Sequence, residues 1–443
     1  MPRKSASGRG AAKTSPRTVI VGSARTPFSR AGSDYQRFVG YDLARFAISG
    51  ALARSGVDPA AVQQVVMGNV VQNSANANVA RDAALAAGAP LSAPAHSVSM
   101  ACISANRAIS DVAAAVAAGG VDLAVAGGVE MLGDVPVGFS REVRRRLFAS
   151  RRYRSPLEWR AFFKGLPLSE LLPKAPPIAE FTTGETMGSS ADRLAAKFGV
   201  SREEQDAFAL RSHQLAAQAQ REGRLGEQVV PVVVPGGRVI QADNGVREDS
   251  SAEKLAALSP AFVKPFGTVT AGNASPLTDG AAAVVLASEE YAQAHGLTAR
   301  ARIVDFCFVA QDPQDELLLG PAYAVPKLLT RNGLSLADID VIEIHEAFAG
   351  QVLAVLNALA SESFGRERLR LEGAYGSVDL ERVNRWGGSI SLGHPFGATG
   401  ARLVATAVDR LAHEDGTLAV VTACAAGGLG HAMLIERLPG AAA

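Results

Sequence analysis

The sequence has little cysteine: three residues in 443, at Cys102, Cys307 and Cys424. A set this sparse, and odd in number, argues against a disulfide framework and for a reducing compartment. No CxxC pair occurs, so a local zinc-ligand spacing is missing. An excess of one charge is missing as well. Lys and Arg number 44 against 43 Asp and Glu, a formal net charge of +1, which removes any global pull toward nucleic acid or anionic membranes. Long apolar runs are also absent. The richest stretch, Val112 to Val129, is broken by Gly and Asp and rich in small Ala, so it does not read as a membrane span. Acidic residues are lacking between Met1 and Arg17, where Arg3, Lys4, Arg9, Lys13 and Arg17 stand among Ser, Gly and Ala. Without an apolar block this start is not a secretory signal. Its Gly and Pro make a poor amphipathic helix, so a disordered basic tail at 1–17 is expected rather than a mitochondrial transit segment. The expected compartment is the cytoplasm, with the mitochondrial matrix as the alternative.

What is present suits a large globular protein. At 48% hydrophobic and 20% charged residues, the chain can bury a sizeable core in two or three domains. The apolar run Thr18 to Gly22 reads as a buried strand, and from there strands alternate with Ala-rich helices, the pattern of an α/β protein. The two halves resemble each other. Ser55 to Asn69 runs beside Asn332 to His345 without a gap from Gly56 and Gly333 onward, and Ser97-Val-Ser-Met-Ala-Cys102 runs beside Ser389-Ile-Ser-Leu-Gly-His394. In each half a helix pattern and then an apolar strand follow, Asp122 to Gly127 and Thr417 to Thr422. Units this long are not a solenoid; they read as two similar α/β domains packed as a pseudo-dimer. Cys102 and His394 then occupy equivalent strand-to-helix turns, which can face each other across a cleft.

Residues 135–278 fall outside the repeat and read as an inserted loop domain for substrate and partner contacts. The N-terminal domain is placed at 18–134 with 279–298, and the C-terminal domain at 299–440. The insertion opens with seven arginines in the fourteen residues from Arg141 to Arg154, followed by Leu157, Trp159, Phe162, Phe163 and Leu166. Helices are expected over Thr186 to Phe198 and Ser201 to Glu222, the second opened by the capping box Ser201-Arg-Glu-Glu204.

Several residues could carry chemistry. Cys102 precedes a strong helix pattern, and a thiol at a helix N-terminus is expected to have a lowered pKa; the alternative is a small buried hydrophobe. Gly387 to Gly400 (GGSISLGHPFGATG) is more specific. Its glycines permit tight turns, Pro395 suits a first helical turn, and His394 is expected at the end of a strand as a base for a thiol. Cys424 lies at the end of another buried strand, ahead of a glycine turn whose N–H groups could nest an oxyanion. That cluster lies too late in the chain for a dinucleotide loop, so no nicotinamide or flavin is expected. His345 and Glu346 follow the strand 340–344 and could orient water or substrate. A zinc site made from Cys102, Cys424, His345 and His394 is conceivable by residue type alone. The small-residue loop Thr268 to Gly280 suits a thioester-bearing ligand.

Taken together, Met100-Ala-Cys-Ile-Ser-Ala-Asn106, His345-Glu-Ala-Phe348, Leu392 to Gly400 and Ala423-Cys-Ala-Ala-Gly-Gly428 resemble the motifs of the thiolase family, in order. The resemblance spans Thr18 to Glu436 and is strongest to the branch of fatty-acid-oxidation trifunctional β subunits and their bacterial counterparts. It implies a five-layer αβαβα thiolase fold. It implies that Cys102 is the acylated nucleophile, His394 its base and Cys424 a second acid/base. His345 stands where many members have Asn, which leaves open whether it donates to an oxyanion or holds a water. Ala426 replaces a Gly whose backbone N–H serves the oxyanion. Met187, Ser275, Ala347 and Phe348 match positions that line the coenzyme A pocket.

The implied activity is reversible, ping-pong thiolysis of 3-ketoacyl-CoA by CoA in β-oxidation, with medium or long acyl chains expected given the apolar and basic insertion. Coenzyme A enters as substrate, and no metal or redox cofactor is needed. Acetoacetyl-CoA synthesis is the same reaction reversed. A ketosynthase-like condensing enzyme would need a second His at Cys424, and a non-catalytic acyl-CoA or lipid carrier would not need this set intact. The implied partners are acyl-CoA and CoA, a second copy in a homodimer or larger assembly, and a hydratase/dehydrogenase α subunit. A membrane-surface contact through 141–165 competes with a solvated helix, and nucleic-acid binding is not expected.

Overall fold

The computed structural model describes residues 17–439. Apart from Arg17, the expected basic tail lies outside the described residues. Twelve strands are found there: β1 Thr18–Arg25, β2 Ser29–Arg30, β3 Gln64–Gly68, β4 Ala95–Val98, β5 Leu123–Glu130, β6 Val232–Val233, β7 Val239–Ile240, β8 Thr278–Ser288, β9 Ala301–Ala310, β10 Val341–Ile344, β11 Leu418–Ala425 and β12 Leu429–Arg437. Nine of them follow the order β10-β11-β12-β9-β1-β8-β5-β3-β4, with β2 added beside β8, and β6 and β7 form a separate hairpin sheet.

The internal repeat is visible in this order. In one half β3 and β5 are parallel while β5, β8 and β1 pair antiparallel. In the other β10 and β11 are parallel while β11, β12 and β9 pair antiparallel. Gly56 and Gly333 close equivalent helices at φ 66° and 69°, values that favour glycine. Each is followed by a short 3-10 turn, Pro59–Ala61 or Leu336–Asp338, and then the matching strand. The halves are not fully separate sheets. They join edge to edge through two residue pairs, Val19 with Arg302 and Ile20 with Ala301.

The period-two alternation of the strands sorts apolar side chains onto two faces. Val65 and Met67 of β3 enter an outer core with helices Gly40–Ser55 and Val79–Ala86, whereas Val66 faces a central core. Across the joint, Ala419, Val421 and Ala423 of β11 face that same central core. Val420 and Cys424 enter the opposite outer core, with helices Gly320–Arg331 and Ala349–Ala360. The central layer consists of helices Ser104–Ala117 and Thr399–His413, which contribute Ile109, Val112, Leu403 and Val408. The result is five layers, αβαβα. Because both faces of each half-sheet are covered, interior strands read as continuous apolar runs; all eleven residues of β8 are buried.

The segment between β5 and β8 carries the helices Arg141–Ser150, Trp159–Phe163, Met187–Lys197 and Arg202–Arg221. The capping box forms as expected: Glu204 N–H donates to Ser201 Oγ at 3.1 Å and Ser201 N–H to Glu204 Oε2 at 2.7 Å.

One repeat unit diverges, which corrects an expectation. Ser97 continues the strand β4, but its counterpart Ser389 opens a single helical turn, Ser389–Leu392, so His394 does not sit at a strand end. The cause is local polar bonding. Ser391 Oγ donates to the Gly388 carbonyl at 3.0 Å, Ile390 N–H donates to Glu346 Oε2 at 3.2 Å, and Gly388 N–H donates to Ser212 Oγ at 3.2 Å. These bonds satisfy backbone and hydroxyl groups that a strand would have presented to a ladder.

Candidate active site

Cys102 is carried by a tight turn between β4 and the central helix. Ala101 is left-handed at φ 47°, an uncommon conformation for a residue with a Cβ. Ser104 braces it, accepting from Met100 N–H at 2.8 Å and donating to the Ala101 carbonyl at 2.6 Å. The residue is half-buried. Its thiol does not have the lowered pKa expected of a helix start: burial pushes it up to about 12, the Glu130 carboxylate adds to the rise, and the N–H groups of Ala426 and Cys102 itself pull the other way. The helix begins only at Ser104, and desolvation of the thiolate outweighs its dipole.

His394 is brought to the thiol from the other half. Gly128 of β5 lies so close to the Gly397 carbonyl that a Cβ there would overlap it, and Gly397 N–H donates to Glu130 at 2.9 Å. Glu130 also accepts from Val70 N–H, Val71 N–H and Asn69 Nδ2 at 3.0–3.1 Å, so one buried carboxylate ties the His394 loop to the β3 end. Burial raises Glu130 to about 7, against the bonds from Val71, Val70 and Gly397 that lower it. His394 N–H donates to Thr278 Oγ1 at 3.1 Å.

The His394 ring is buried, with Nδ1 2.6 Å from Thr399 Oγ1. Thr399 Oγ1 donates its proton to the Pro395 carbonyl at 3.1 Å. It therefore accepts from His394, which puts the imidazole proton on Nδ1 and leaves Nε2 with a free lone pair. Nε2 is buried without a partner. Burial, aided by Arg402, lowers His394 to about 3.

His345 follows β10, fully buried, with its ring centroid 4.1 Å from that of His394. Its N–H donates to the Thr422 carbonyl of β11 at 2.9 Å, and its Nδ1 lies 2.9 Å from Ser389 Oγ. Burial, then His394 and Arg402, keep it well below the usual histidine range. One atom each of Cys102, His345 and His394 lies within 4.8 Å of the others, close enough for a shared reacting group or a metal ion. Cys424, 1% exposed on β11, completes the group; its thiol is pushed up by burial and then by the Cys102 sulfur. Ala426 follows it, and Gly427 and Gly428 turn the chain at φ 85° and 66°.

The Glu346 carboxylate is bound within the fold. Buried, it accepts from Ser212 Oγ at 2.8 Å, Asn384 Nδ2 at 2.7 Å and Ile390 N–H, and so holds the Ser389–Leu392 turn in place. Among the expected ligand-pocket residues, Ser275 N–H donates to the Ala347 carbonyl at 3.0 Å, while Ala274 bridges Phe348 and Leu277 bridges His394. Met187, Ala347 and Phe348 share one apolar cluster. The loop Thr268 to Gly280 thus links Ala347 and Phe348, just after His345, to His394. Thr399, Ser389, Glu130 and Glu180 were missed in the sequence. The first two are hydroxyl residues within the Gly387–Gly400 block and could have been noticed there; the carboxylates carry no local signal. Glu180, from the insertion, accepts the Gly427 N–H at 2.7 Å.

Two family descriptions match the chain: thiolase, N-terminal domain, over residues 18–290, and thiolase, C-terminal domain, over residues 297–437. The mitochondrial trifunctional enzyme subunit beta of Bos taurus is 48% identical over 421 residues, 95% of this chain and 88% of that one. The 3-ketoacyl-CoA thiolase of Yersinia pestis (strain Pestoides F) is 44% identical over 421 residues, covering 95% and 97%. The crystal structure of the Bacillus anthracis acetyl-CoA acetyltransferase superposes with a TM-score of 0.82 at 34% identity, covering 96% of this chain and all of that one.

Proposed function

The chain belongs to the thiolase family, and we propose that it is a 3-ketoacyl-CoA thiolase of β-oxidation, an acyltransferase that cleaves its substrate with CoA through an acyl-Cys102 intermediate. One observation carries this reading: Cys102, His345 and His394 converge within 4.8 Å, with Cys424 close enough to feel the Cys102 sulfur.

The chemistry follows from the protonation states. At rest the thiol and the imidazole are both neutral. The Cys102 proton passes to Nε2 of His394, and the thiolate attacks the C3 keto carbon. The Cys102 and Ala426 N–H groups favour the thiolate and serve as donors to the oxygen of the carbon bonded to it. The C2–C3 bond then breaks, its electron pair passing into the enolate of acetyl-CoA, whose oxygen His345 faces. Cys424 gives its proton to the enolate carbon, and acetyl-CoA leaves. Free CoA enters, Cys424 takes back a proton from its thiol, and the CoA thiolate attacks the acyl-Cys102 thioester. The departing Cys102 sulfur recovers its proton from His394. The cycle balances with CoA as substrate and needs neither metal nor redox cofactor.

The insertion supports medium or long acyl chains. Phe148, Leu157, Trp159 and Phe163 are exposed there, beside Arg144, Arg151, Arg152 and Arg154, which form no ion pair among the described residues. A surface that combines apolar and cationic groups suits a membrane face, and the name of the Bos taurus relative, a subunit beta, supports an α-subunit partner, for which a hydratase/dehydrogenase is our reading. We assign at least a homodimer and the cytoplasm, with the mitochondrial matrix as the alternative because that relative is mitochondrial. The Bacillus anthracis neighbour, an acetyl-CoA acetyltransferase, favours acetoacetyl-CoA as the second reading. Initial rates with 3-ketohexadecanoyl-CoA and acetoacetyl-CoA, each varied against CoA, decide between them. Parallel double-reciprocal lines and a kcat/KM at least about tenfold higher for the longer substrate are expected. Preference for acetoacetyl-CoA would contradict the chain-length assignment, and intersecting lines the acyl-enzyme.

A further inference from the structure

Behind His345 lies a buried polar chain that the reaction scheme does not use. Arg402, on the central helix Thr399–His413, is fully buried, and its Nη2 donates to Ser389 Oγ at 2.9 Å. Ser389 Oγ in turn lies 2.9 Å from His345 Nδ1. No other partner of that hydroxyl is found among the described residues. A guanidinium can only donate, so Ser389 Oγ accepts from Arg402. Its single proton then has one acceptor within reach, His345 Nδ1. A hydroxyl that accepted from both neighbours would leave its own proton buried and unpaired, which is the costlier arrangement. Glu343, fully buried, faces Arg402 at 3.6 Å and Arg410 at 2.8 Å, which keeps the donor end of the chain cationic.

We propose that Arg402 and Ser389 are positioning residues that fix the imidazole proton of His345 on Nε2, so that His345 presents an N–H, and not a lone pair, to the substrate oxygen. This rests on the reading of His345 as the donor to the enolate oxygen. The two facing histidines are then opposite tautomers. Thr399 holds the His394 proton on Nδ1 and bares Nε2 as a base. The Arg402–Ser389 chain does the reverse to His345, whose Nε2 is buried and otherwise unpartnered. A base and a donor of the same residue type, 4.1 Å apart between ring centroids, are distinguished only by what stands behind each ring. In this tautomer His345 Nε2 is also unavailable as a metal ligand.

The test is nitrogen NMR of the full-length protein carrying ring-15N histidine, with the His345 signals assigned by their loss in His345→Gln. In the wild type His345 Nδ1 is expected at the shift of an unprotonated nitrogen and Nε2 at that of a protonated one. In Ser389→Ala the two tautomers mix, and the single-turnover acylation rate falls roughly tenfold or more, as for loss of an oriented oxyanion donor. A wild-type proton on Nδ1, or an unaltered tautomer in Ser389→Ala, would overturn the proposal, and the first of these needs no variant to fold. A tautomer lost in Ser389→Ala with an undiminished acylation rate would uphold the chain from Arg402 to His345 and remove His345 from the oxyanion role.

Discussion

At the scale of single residues, the candidate site is a neutral thiol beside a neutral imidazole. Burial raises Cys102 to about 12 and lowers His394 to about 3, and both shifts disfavour the charged pair. The thiolate therefore forms as substrate arrives, rather than being stored. Alkylation of Cys102 in the free protein by iodoacetamide should accordingly keep rising with pH up to pH 10, whereas a plateau below pH 8 would show a stored thiolate. The sign for His394 is equally definite. Its folded pKa lies below its unfolded value near 6.5, so as pH falls it stays an unprotonated base down toward about 3. The acid limb of kcat/KM should thus lie well below pH 6; a midpoint near 6.5 would contradict this environment. Thr399→Val removes the acceptor that sets the His394 tautomer. Acylation should fall about 10² or more, the scale of general-base catalysis, with KM for CoA little changed in steady-state kinetics.

At the scale of elements, the insertion reaches the turn after Cys424 through Glu180. Glu180 accepts Gly427 N–H, one residue after Ala426, whose N–H lowers the Cys102 thiol pKa. Glu180→Ala should lower kcat by about tenfold or more through a misaimed oxyanion donor, while Glu180→Gln, whose carbonyl still accepts, should keep most of it. Equal losses in both variants would place the effect in charge rather than aim. This link also shows what was legible in the sequence and what was not. Strands such as β8 and β11 declared themselves as apolar runs, and Ser201 with Glu204 as a helix start, because those signals are local. The paired Gly56 and Gly333 disclosed the repeat, since a positive φ constrains residue type. Ser389, by contrast, looked like Ser97 and forms a helical turn, because Glu346 and Ser212 reach it from distant segments. Glu130 and Glu180 gave no sign, since their partners are backbone N–H groups of turns remote in the chain. The rise of the Cys102 pKa could not be read either, because it depends on what covers the thiol.

At the scale of the whole molecule, a repeat folds two half-sheets around one helix pair, and the site sits where loops from both halves meet. Gly128 and Gly397 permit that approach. Gly128→Ala should therefore cost stability on the order of 1–3 kcal/mol, as overpacking does, and reduce acylation together with it; an unchanged melting curve would show that the loop can shift freely. The start of the insertion, with exposed Phe148, Leu157, Trp159 and Phe163 beside Arg144, Arg151 and Arg152, which form no ion pair among the described residues, is the proposed membrane face. Charge reversal at Arg144, Arg151 and Arg152 should abolish sedimentation with anionic vesicles and leave acetoacetyl-CoA thiolysis intact, whereas vesicle binding that survives reversal would remove the insertion from that role. The central claim is the acyl group on Cys102, and mass spectrometry of single turnovers with 3-ketohexadecanoyl-CoA tests it most directly. The wild type should gain one long-chain acyl mass on the Cys102 peptide, which free CoA removes, and Cys102→Ala should gain none. No adduct on Cys102 from this substrate or from acetyl-CoA would contradict the account and leave a thiolase fold that binds acyl-CoA without turning it over.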